Sequence, residues 1–581
     1  MTEFDDSNMS GKACRPGKIW HTISVINCLF VLCTSAFSDV PDIRSLQTYD
    51  NNILDSGGVL LAEQAAYDVF YYDLDLFIDP ADSSIHGSSM TYVHMLEDSD
   101  LFVLHLDTVF VIDRVLKIEA DRSLPLEFTH KDGLLIARFP ETSITGEQVV
   151  VEVSYYGHPR SATNPPWEGG FTWSETESGK PWIGVSCQIN GADLWWPVKD
   201  HPSDRPDSVS LKFTVPKELV AVSNGKLRSV HSFNEETRTF HWIHRSPISN
   251  YAVSVNIGVY VELKSEYKSI TGEVFPVYFW PLPENRGKAE ELLVQIKQQL
   301  RFFENILGPY PFRHEKYGVV EAPFLGMEHQ TIIAYGGGYQ NDVIFNTETG
   351  FDDLHHHELS HEWWGNLVTA SDWKDFWIHE GFATYMQALY AEHLHGNDQY
   401  LVFMEALFDL ISNNIPIAPE QSRSTREMFV GRDIYMKGAW VLHTLRYLIG
   451  DENFFSVLRQ MTYPDYNNES FSGKPLSRFV NTRDFIDVVE YVSGRDLEWF
   501  FETYLYYAEL PELQKKWDGN RLTLSWFTSS ELPFPMPVTV YNGIDWQTFI
   551  PDGKKSLTVH SREEFVLDPN HQVLRSGMFD L

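Results

Sequence analysis

Alternating apolar and polar residues dominate the chain between about residue 67 and residue 264. The segments 73–78 (DLDLFI) and 149–153 (VVVEV) show this alternation, and glycine, proline and aspartate punctuate the intervals between such segments. Period-two alternation is typical of strands that bury one face. The pattern therefore predicts an antiparallel β domain over residues 67–264.

A helical pattern replaces this alternation in residues 265–510, after a short β portion. Ala289, Leu293, Ile296 and Leu300 recur at three- and four-residue spacing, which places them on one face of a helix. We therefore expect a mixed domain of helices and strands here.

Short strands return after the helical part of the chain. The segment 521–526 (RLTLSW) alternates in polarity and lies between turn signals at 518–519 (DG) and 542–543 (NG). Residues 511–581 are therefore predicted to form a small β-sandwich. The whole chain is expected to be a multidomain α+β protein.

Residues 1–38 have the features of a signal peptide rather than of a folded domain. Basic residues precede an uncharged stretch over residues 19–38, which ends in a small-residue cleavage site, Ala-Phe-Ser. We expect an exported protein, periplasmic or extracellular, with residues 39–66 as a linker. Retention of the uncharged stretch would instead anchor the protein to a membrane.

Length and composition fit a globular protein of several domains. Of the 581 residues, 43% are hydrophobic and 14% aromatic, which suffices for large cores. The formal net charge of −36 argues against nucleic acid as a partner, because phosphates repel an acidic surface. The same acidity either attracts the cationic terminus of a peptide or serves solubility and salt adaptation. The oligomeric state is left open.

Cysteine usage excludes internal disulfides in the exported form. Cys14, Cys28 and Cys33 lie before the predicted cleavage point, so Cys187 alone would remain. We expect Cys187 to be a buried small apolar residue rather than a nucleophile.

The sequence His357-Glu358-Leu-Ser-His361, followed by Glu380 after eighteen intervening residues, constrains function most strongly. Histidines four residues apart on a helix project from one face, so both rings can bind a single cation. A glutamate from a later helix would be the third ligand and leave a fourth position open for water, as in catalytic zinc sites. The spacing predicts one Zn²⁺ per chain, bound by His357, His361 and Glu380.

Glu358 lies beside these ligands without being one of them. It suits a general base that accepts a proton from water and passes it to a leaving amine. The alternative is a metal-free helix, since the five-residue pattern arises by chance in about one chain of this length in twenty; the later glutamate lowers that about tenfold. His355 and His356 lack partners at the required spacing and are expected to be flanking residues.

The stretch 357–385, HELSHEWWGNLVTASDWKDFWIHEGFATY, resembles the zinc helix pair of the aminopeptidase N type zinc metallopeptidases. These are gluzincins, a family that includes the leukotriene hydrolase/aminopeptidases. Residues 326–329 (GMEH) stand where the family has Gly-Ala-Met-Glu-Asn, and residues 435–438 (YMKG) match its Tyr-x-Lys-Gly. Together with residues 187–188 (CQ), the similarity runs from about residue 65 to the C-terminus.

This resemblance implies an N-terminal antiparallel β saddle, a thermolysin-like α/β catalytic domain and a C-terminal β-sandwich. It also implies a short form without the family's C-terminal helical domain. By resemblance, Tyr435 donates a hydrogen bond to the oxyanion. Glu328 would bind the free amine of a peptide with the help of Gln188, and Gly326 and Met327 would contact the substrate.

Departures from the family pattern limit what can be carried over. Gly326 and His329 replace alanine and asparagine, so the preference of the first substrate pocket is not inherited. Gln387 stands where the family often has a carboxylate beside a ligand histidine, and an amide raises ligand basicity less. His379, next to Glu380, is expected to be a packing or surface residue.

The combined expectation is a zinc aminopeptidase that acts on peptides with a free N-terminus. Lipid epoxide hydrolysis of the leukotriene-hydrolase type would use the same site, although the missing helical domain counts against it. A binding protein with a degenerate site and a zinc endopeptidase also stay open at this point. Acetylated substrates distinguish an exopeptidase from an endopeptidase, and metal analysis identifies a degenerate scaffold.

Overall fold

A computed structural model of the protein describes residues 55–464 and 477–579. The predicted signal peptide and the predicted linker as far as residue 54 lie outside the described residues. Among the helices of the described part, none has the length and apolar composition that a membrane crossing requires.

Strands build the N-terminal part, as the period-two pattern predicts. In the first strand Leu74, Leu76 and Ile78 are fully buried, and the residues between them are more exposed. A short helix, α1 Ala62–Ala65, precedes the strands. In chain order these are β1 Tyr67–Asp79, β2 Ser84–Met95, β3 Ser99–His105, β4 Phe110–Ile118, β5 Ser123–Pro125, β6 Glu127–Lys131, β7 Leu134–Ser143, β8 Gln148–Gly157, β9 Gly170–Glu175, β10 Pro181–Ser186, β11 Ser208–Pro216, β12 Val220–Ser223, β13 Lys226–Ser232, β14 Thr237–His244 and β15 Val255–Gly258.

These strands form an eight-stranded sheet in the order β13-β14-β11-β1-β2-β8-β4-β5, a four-stranded sheet β12-β15-β10-β9 and a three-stranded sheet β3-β7-β6. The predicted antiparallel pairing holds except between β1 and β11, which are parallel, with Leu74 opposite Leu211. Two parallel strands need a long connection between them, and here the chain from β2 to β10 connects β1 to β11. Local alternation predicts a strand but carries no information about its distant partner.

The second part combines a five-stranded mixed sheet with helices. The predicted apolar face of its first helix, which includes Ala289, Ile296 and Leu300, is buried. The elements are β16 Leu263–Lys268, β17 Val274–Trp280, α2 Arg286–Leu307, β18 Tyr317–Glu321, β19 Gly326–Met327, β20 Ile333–Tyr335, α3 Asp353–Ser360, β21 Val368–Ala370, α4 Trp377–His395, α5 Asn397–Phe408, α6 Thr425–Met428, α7 Asp433–Ile449, α8 Asp451–Thr462, β22 Arg478–Val480, α9 Thr482–Ser493 and α10 Glu498–Leu505.

The sheet of this part has the order β16-β17-β18-β20-β19, and β19 forms one edge. β16 crosses the predicted domain boundary at residue 264, and its pairing with β17 places it with the second part of the chain. Two features position the site: α3 and α4 pack together, and β19 lies against α3.

Two three-stranded sheets form the C-terminal part, in the orders β23-β24-β27 and β26-β25-β28. Gly519 and Gly543 have positive φ angles of 59° and 94° in the two turns that the sequence predicts. Leu522, Leu524 and Val540 are fully buried. The strands are β23 Glu512–Asp518, β24 Arg521–Phe527, β25 Val538–Tyr541, β26 Trp546–Phe549, β27 Asp552–Thr558 and β28 Val566–Leu567.

Candidate metal centre and active site

Two histidines and one glutamate converge from consecutive helices. His357 lies in α3 and His361 directly follows that helix, so one helical turn separates them and their Nε2 atoms are 3.2 Å apart. Glu380, in the first turn of α4, places Oε2 at 3.4 Å from Nε2 of His357 and 3.5 Å from Nε2 of His361. The structure thus brings together the three residues that the sequence predicts as metal ligands.

The donor set fits zinc. The three ligand atoms lie within 4.8 Å of one another, and the side chains of His361 and Glu380 are fully buried. Glu380 Oε2 has no hydrogen-bond partner among the described residues, although it is buried, which is the state expected of an oxygen reserved for a cation. Two imidazole nitrogens and one carboxylate oxygen are the donor set of catalytic zinc sites with an open position.

The mutual electrostatics of these groups also favour a cation. Although burial disfavours the charged form, the Glu380 carboxylate raises the pKa of His361 to about 10. Burial would raise the pKa of Glu380, but the His361 and His357 rings lower it to about 2. A positive charge is therefore strongly stabilised at this point of the interior.

Hydrogen bonds to the far side of each ring fix the orientation of both histidines. His361 Nδ1 lies 2.9 Å from the Trp364 carbonyl, and His357 Nδ1 lies 3.3 Å from Oε1 of Gln387. Because both partners accept, each Nδ1 donates its proton, and Nε2 is the nitrogen that each ring presents to the metal position. Gln387 is in turn held by its own donation to the Asp353 carbonyl at 2.9 Å.

Glu358 lies next to the ligands with one carboxylate oxygen free. It is buried, and Oε2 has no hydrogen-bond partner among the described residues. Burial raises its pKa well above the usual value, and the nearby Glu328 carboxylate raises it further. A Cβ atom at Gly326 would come within 2.6 Å of Glu358 Oε1, so the glycine makes room for the glutamate.

Glu328 and Gln188 meet beside this centre from different domains. Gln188 Nε2 donates to Glu328 Oε1 at 3.2 Å and to Glu380 Oε1 at 2.9 Å. Burial disfavours the charged form of Glu328 and raises its pKa, and a cation bound beside it would stabilise the carboxylate. Because Nε2 donates to the two carboxylates, Oε1 is the atom of the Gln188 amide that can accept a hydrogen bond from a bound amine.

Tyr435 extends toward the centre from the first turn of α7. Its ring stacks on His357 with 6.1 Å between ring centroids. Burial and the carboxylates of Glu380 and Glu328 raise the pKa of the phenol well above its usual value. The hydroxyl therefore stays protonated and acts as a hydrogen-bond donor.

Three other histidines near the motif have separate structural contacts. His355 lies 2.7 Å from the Tyr317 hydroxyl, and His356 stacks on Tyr390 with 4.6 Å between centroids. His379 Nε2 accepts from the Ala370 amide at 2.9 Å. None of the three belongs to the convergent group of ligand atoms in the described residues.

Sequence reasoning missed Tyr251 and Asn366. Tyr251 is buried beside Glu328: burial raises the pKa of its hydroxyl, and the Glu328 carboxylate raises it further. Asn366 Nδ2 donates to the Glu328 carbonyl at 3.1 Å. Asn366 lies in the stretch that carries the zinc motif, whereas Tyr251 follows a β region without a motif and offered no signal.

Two family models match the chain. Residues 69–252 match the Peptidase M1 N-terminal domain, and residues 293–504 match the Peptidase family M1 domain. The first contains Gln188, and the second contains the three predicted ligands together with Glu328, Glu358 and Tyr435. The chain belongs to peptidase family M1, a family of zinc metallopeptidases.

Relatives are distant but extend over most of the chain. Leukotriene A-4 hydrolase of Xenopus laevis is 23% identical over 79% of this chain and 74% of its own. Aminopeptidase M1-B of Oryza sativa subsp. japonica is 24% identical over 78% of this chain and 51% of its own. Leucine aminopeptidase 2 of Vanderwaltozyma polyspora is 23% identical over 77% of this chain and 67% of its own. The chain thus spans between about half and three quarters of the length of these relatives.

Solved structures match the fold. The M1 zinc metallopeptidase from Deinococcus radiodurans has a TM-score of 0.61 and 22% identity over 79% of this chain and 98% of its own. A mutant of that protein, bound to a Tyr-Ser-Ala substrate, gives the same TM-score of 0.61 over 78% of this chain. At this identity the likeness concerns the fold.

Proposed function

We propose that this protein is a zinc-dependent aminopeptidase that removes residues from the N-terminus of peptides. The position of Glu328 carries the proposal. One oxygen each of Glu328 and Glu358 and one ring nitrogen of His361 lie within 4.8 Å of one another. A peptide whose amine is bound at Glu328 therefore has its first peptide bond next to Glu358 and the metal centre.

The chemistry requires a nucleophile, a polarised carbonyl and a proton for the leaving amine. A zinc ion held by His357, His361 and Glu380 supplies a Lewis acid that activates water and polarises the carbonyl. Glu358 accepts the proton of the attacking water on its free oxygen and delivers it to the leaving nitrogen. Tyr435 donates a hydrogen bond to the oxygen that becomes negatively charged during attack.

Selectivity for a free terminus comes from the buried carboxylate. Glu328 and the Oε1 atom of Gln188 offer a charge and a hydrogen-bond acceptor to an ammonium group. An acetylated terminus lacks the charge and brings extra volume, so Glu328 would stay buried without a counter-ion. Leaving such a charge unpaired costs about 2–5 kcal/mol.

The edge strand β19 offers a binding surface for the substrate backbone. Gly326 and Met327 pair with β20 on one side only among the described residues, and they lead directly into Glu328. An extended peptide can add to such an edge through main-chain hydrogen bonds. The proposal is also supported by the aminopeptidases among the relatives and by the peptide bound to the Deinococcus radiodurans protein.

Mass spectrometry of a short peptide and its N-acetylated twin, each digested with the zinc-loaded protein, tests this function. We expect products shortened stepwise from the N-terminus of the free peptide and none from its twin. The Glu358→Gln variant with the same zinc content should give neither. Internal cleavage of both peptides would indicate an endopeptidase instead. If the protein binds stoichiometric zinc and cleaves neither peptide, the proposal is refuted. Lipid epoxides would then be the next substrates to test.

Export of the protein is a separate part of the proposal. It rests on the basic residues Lys12, Arg15 and Lys18 and on the uncharged stretch 19–38 that follows them. We expect the exported protein to begin at Asp39. N-terminal sequencing of protein recovered from the cell exterior or periplasm tests this, and a protein that stays in the cytosol with an intact N-terminus would contradict it.

A further inference from the structure

Residues 55–58, called the strap below, lie between the N-terminal β domain and the catalytic domain. They precede both spans that match the family models. Within the strap, the buried Ser56 donates its amide hydrogen to the Ile189 carbonyl at 3.0 Å, and its carbonyl accepts from the Thr425 amide at 3.0 Å. The Thr425 hydroxyl also donates to the Ile189 carbonyl, at 2.5 Å. The strap thus joins Ile189 of one domain to the start of α6 in the other.

The first consequence concerns Gln188, which directly precedes Ile189. Gln188 is the residue whose amide nitrogen reaches the carboxylates of Glu328 and Glu380. Two hydrogen bonds, from Ser56 and from Thr425, hold the carbonyl of the very next residue. The position of the Gln188 backbone is therefore set in part by the strap.

The second consequence concerns Tyr251, which also lies beside Glu328. Trp373 Nε1 donates to Ser56 Oγ at 3.2 Å, and the Trp373 ring packs edge-on against Tyr251 with 5.5 Å between centroids. Trp373 and Tyr251 are both almost fully buried. Contacts from the strap therefore lead to both Gln188 and Tyr251, the two side chains described above beside the Glu328 carboxylate.

The geometry of the strap leaves little freedom for it to move. Gly57 has a φ of +80°, and a Cβ atom there would lie 2.2 Å from Cδ1 of Trp373. Asp55 forms an ion pair with Arg426, with 2.5 Å between Oδ1 and Nε. The Gly58 carbonyl accepts from the Ser422 hydroxyl at 2.8 Å. Each residue of the strap thus has a fixed contact, most of them with the catalytic domain.

We infer that the strap is a positioning element of the amine subsite, which holds Gln188 and Tyr251 in place around Glu328. This inference rests on the aminopeptidase function proposed above. A positioning element differs from a segment that only fills the junction between two domains. A junction filler would affect stability alone, whereas a positioning element sets the affinity for the substrate amine.

Gly57→Ala in the full-length protein displaces the strap from Trp373 and is compared with Gly146→Ala. Gly146 has a similar φ of +87°, but no atom of the described residues would lie within 4 Å of a Cβ atom there, so this control keeps the backbone strain without the clash. We expect Gly57→Ala to raise KM for free-amine substrates about tenfold and to change kcat by less than about threefold. Gly146→Ala should leave both constants unchanged.

A milder pair of variants covers the case in which Gly57→Ala fails to fold. Thr425→Val keeps the shape of the side chain but removes the hydroxyl that donates to Ile189, and we expect it to raise KM about threefold. Thr425→Ser keeps the donor and should retain the wild-type KM. Thr462→Val in α8 controls for the loss of a buried hydrogen bond elsewhere in the protein. The Thr462 hydroxyl is buried and donates to the Leu307 carbonyl at 2.7 Å.

The outcomes are distinguishable when unfolding midpoints and zinc content are measured alongside KM. A KM increase in Gly57→Ala or Thr425→Val, absent from Gly146→Ala and Thr462→Val, supports the inference. Lower unfolding midpoints with an unchanged KM would overturn it and leave the strap a structural filler. A wild-type protein that does not distinguish free from acetylated substrates would overturn the proposed function itself, and the inference with it.

Discussion

Glu328 and Glu358 are both buried carboxylates close to His361, and their different partners suit them to different tasks. Glu328 Oε1 accepts a hydrogen bond from Gln188, whereas Glu358 Oε2 has no partner among the described residues. A free carboxylate oxygen can accept a proton, and a carboxylate fixed by an amide keeps a constant position for a bound cation. We therefore assign proton transfer to Glu358 and amine binding to Glu328.

Replacement of Glu328 by glutamine should remove selectivity for a free terminus. The variant keeps the shape of the side chain but loses the charge that pairs with the substrate ammonium. We expect kcat/KM for free-amine amides to fall about 30-fold or more, chiefly through KM. Steady-state kinetics on free-amine amides measure this, and a variant with the wild-type KM would contradict the assignment.

Replacement of Tyr435 by phenylalanine should slow the chemical step. It removes one hydrogen-bond donor to the developing oxyanion, which costs about 10²–10³-fold in kcat. KM should change little, because the donor acts mainly in the transition state. Single-substrate kinetics with equal zinc occupancy check this; a kcat within about threefold of wild type would exclude the role.

At the residue scale, the sequence predicts those site residues whose spacing reflects a helix. His357 and His361 are one turn apart, so the constraint of the metal is visible in the local sequence. Gln188 could be named only through the resemblance, and its contacts with Glu328 and Glu380 depend on the docking of two domains. Tyr251 lies far from the other site residues in sequence, and nothing local marks it.

At the scale of elements, the crossing of α4 and α7 joins the proposed ligand Glu380 to the proposed oxyanion donor Tyr435. A Cβ atom at Gly381 in α4 would lie 2.9 Å from the Cα atom of Gly438 in α7 and 2.9 Å from the Ile434 carbonyl oxygen. The two glycines let the helix backbones approach closely. Glu380 and Tyr435 lie in the first turns of these two helices, so the close crossing sets the distance between them.

Replacement of Gly381 by alanine should push these helices apart. We expect a loss of about 1–3 kcal/mol in the free energy of unfolding, as in other overpacked interiors, together with reduced kcat. Gly287→Ala in α2 is the matched control, because a Cβ atom there would have no neighbour within 4 Å in the described part of the chain. That control should be more stable than wild type by about 0.5–1 kcal/mol. Denaturant titration measures the free energy of unfolding of both variants. Equal changes in the two variants would contradict a close approach of α4 and α7 that depends on glycine.

Element type is predicted well from periodicity, and element partners are not. The apolar face of α2 and the alternation of β1 both correspond to buried residues in the structure. The parallel pairing of β1 with β11 and the placement of β16 with the second domain depend on contacts between distant segments. Such pairing reflects the packing of whole layers, which local patterns do not encode.

At the scale of the whole molecule, the C-terminal part packs against the back of α7. His443 of α7 lies between the Tyr400 hydroxyl, 2.5 Å from Nδ1, and the His571 carbonyl, 3.0 Å from Nε2. The Leu574 amide donates to the Thr444 hydroxyl at 3.0 Å. The C-terminal part therefore supports the helix that carries Tyr435.

His443 should make the stability of the protein depend on pH. Burial lowers its pKa from 6.5 to about 4, so between these values the unfolded chain binds a proton that the folded protein does not. The contribution of the neutral, buried His443 to the free energy of unfolding is complete above pH 6.5 and is lost as the pH falls toward 4. His443→Gln should remove a slope of up to about 1.4 kcal/mol per pH unit in this window. Denaturant titrations of both proteins at pH 7 and pH 5 test this, and parallel pH profiles would contradict it.

The hydrolysis of matched free and acetylated aminoacyl chromogenic amides by the zinc-loaded protein tests the central claim most directly. We predict release of the chromophore from the free-amine amides only, and loss of that activity in the Glu358→Gln variant at unchanged zinc content. Equal hydrolysis of the acetylated amides would contradict the role of Glu328 as an amine anchor. Hydrolysis of neither set by fully zinc-loaded protein would contradict the aminopeptidase function.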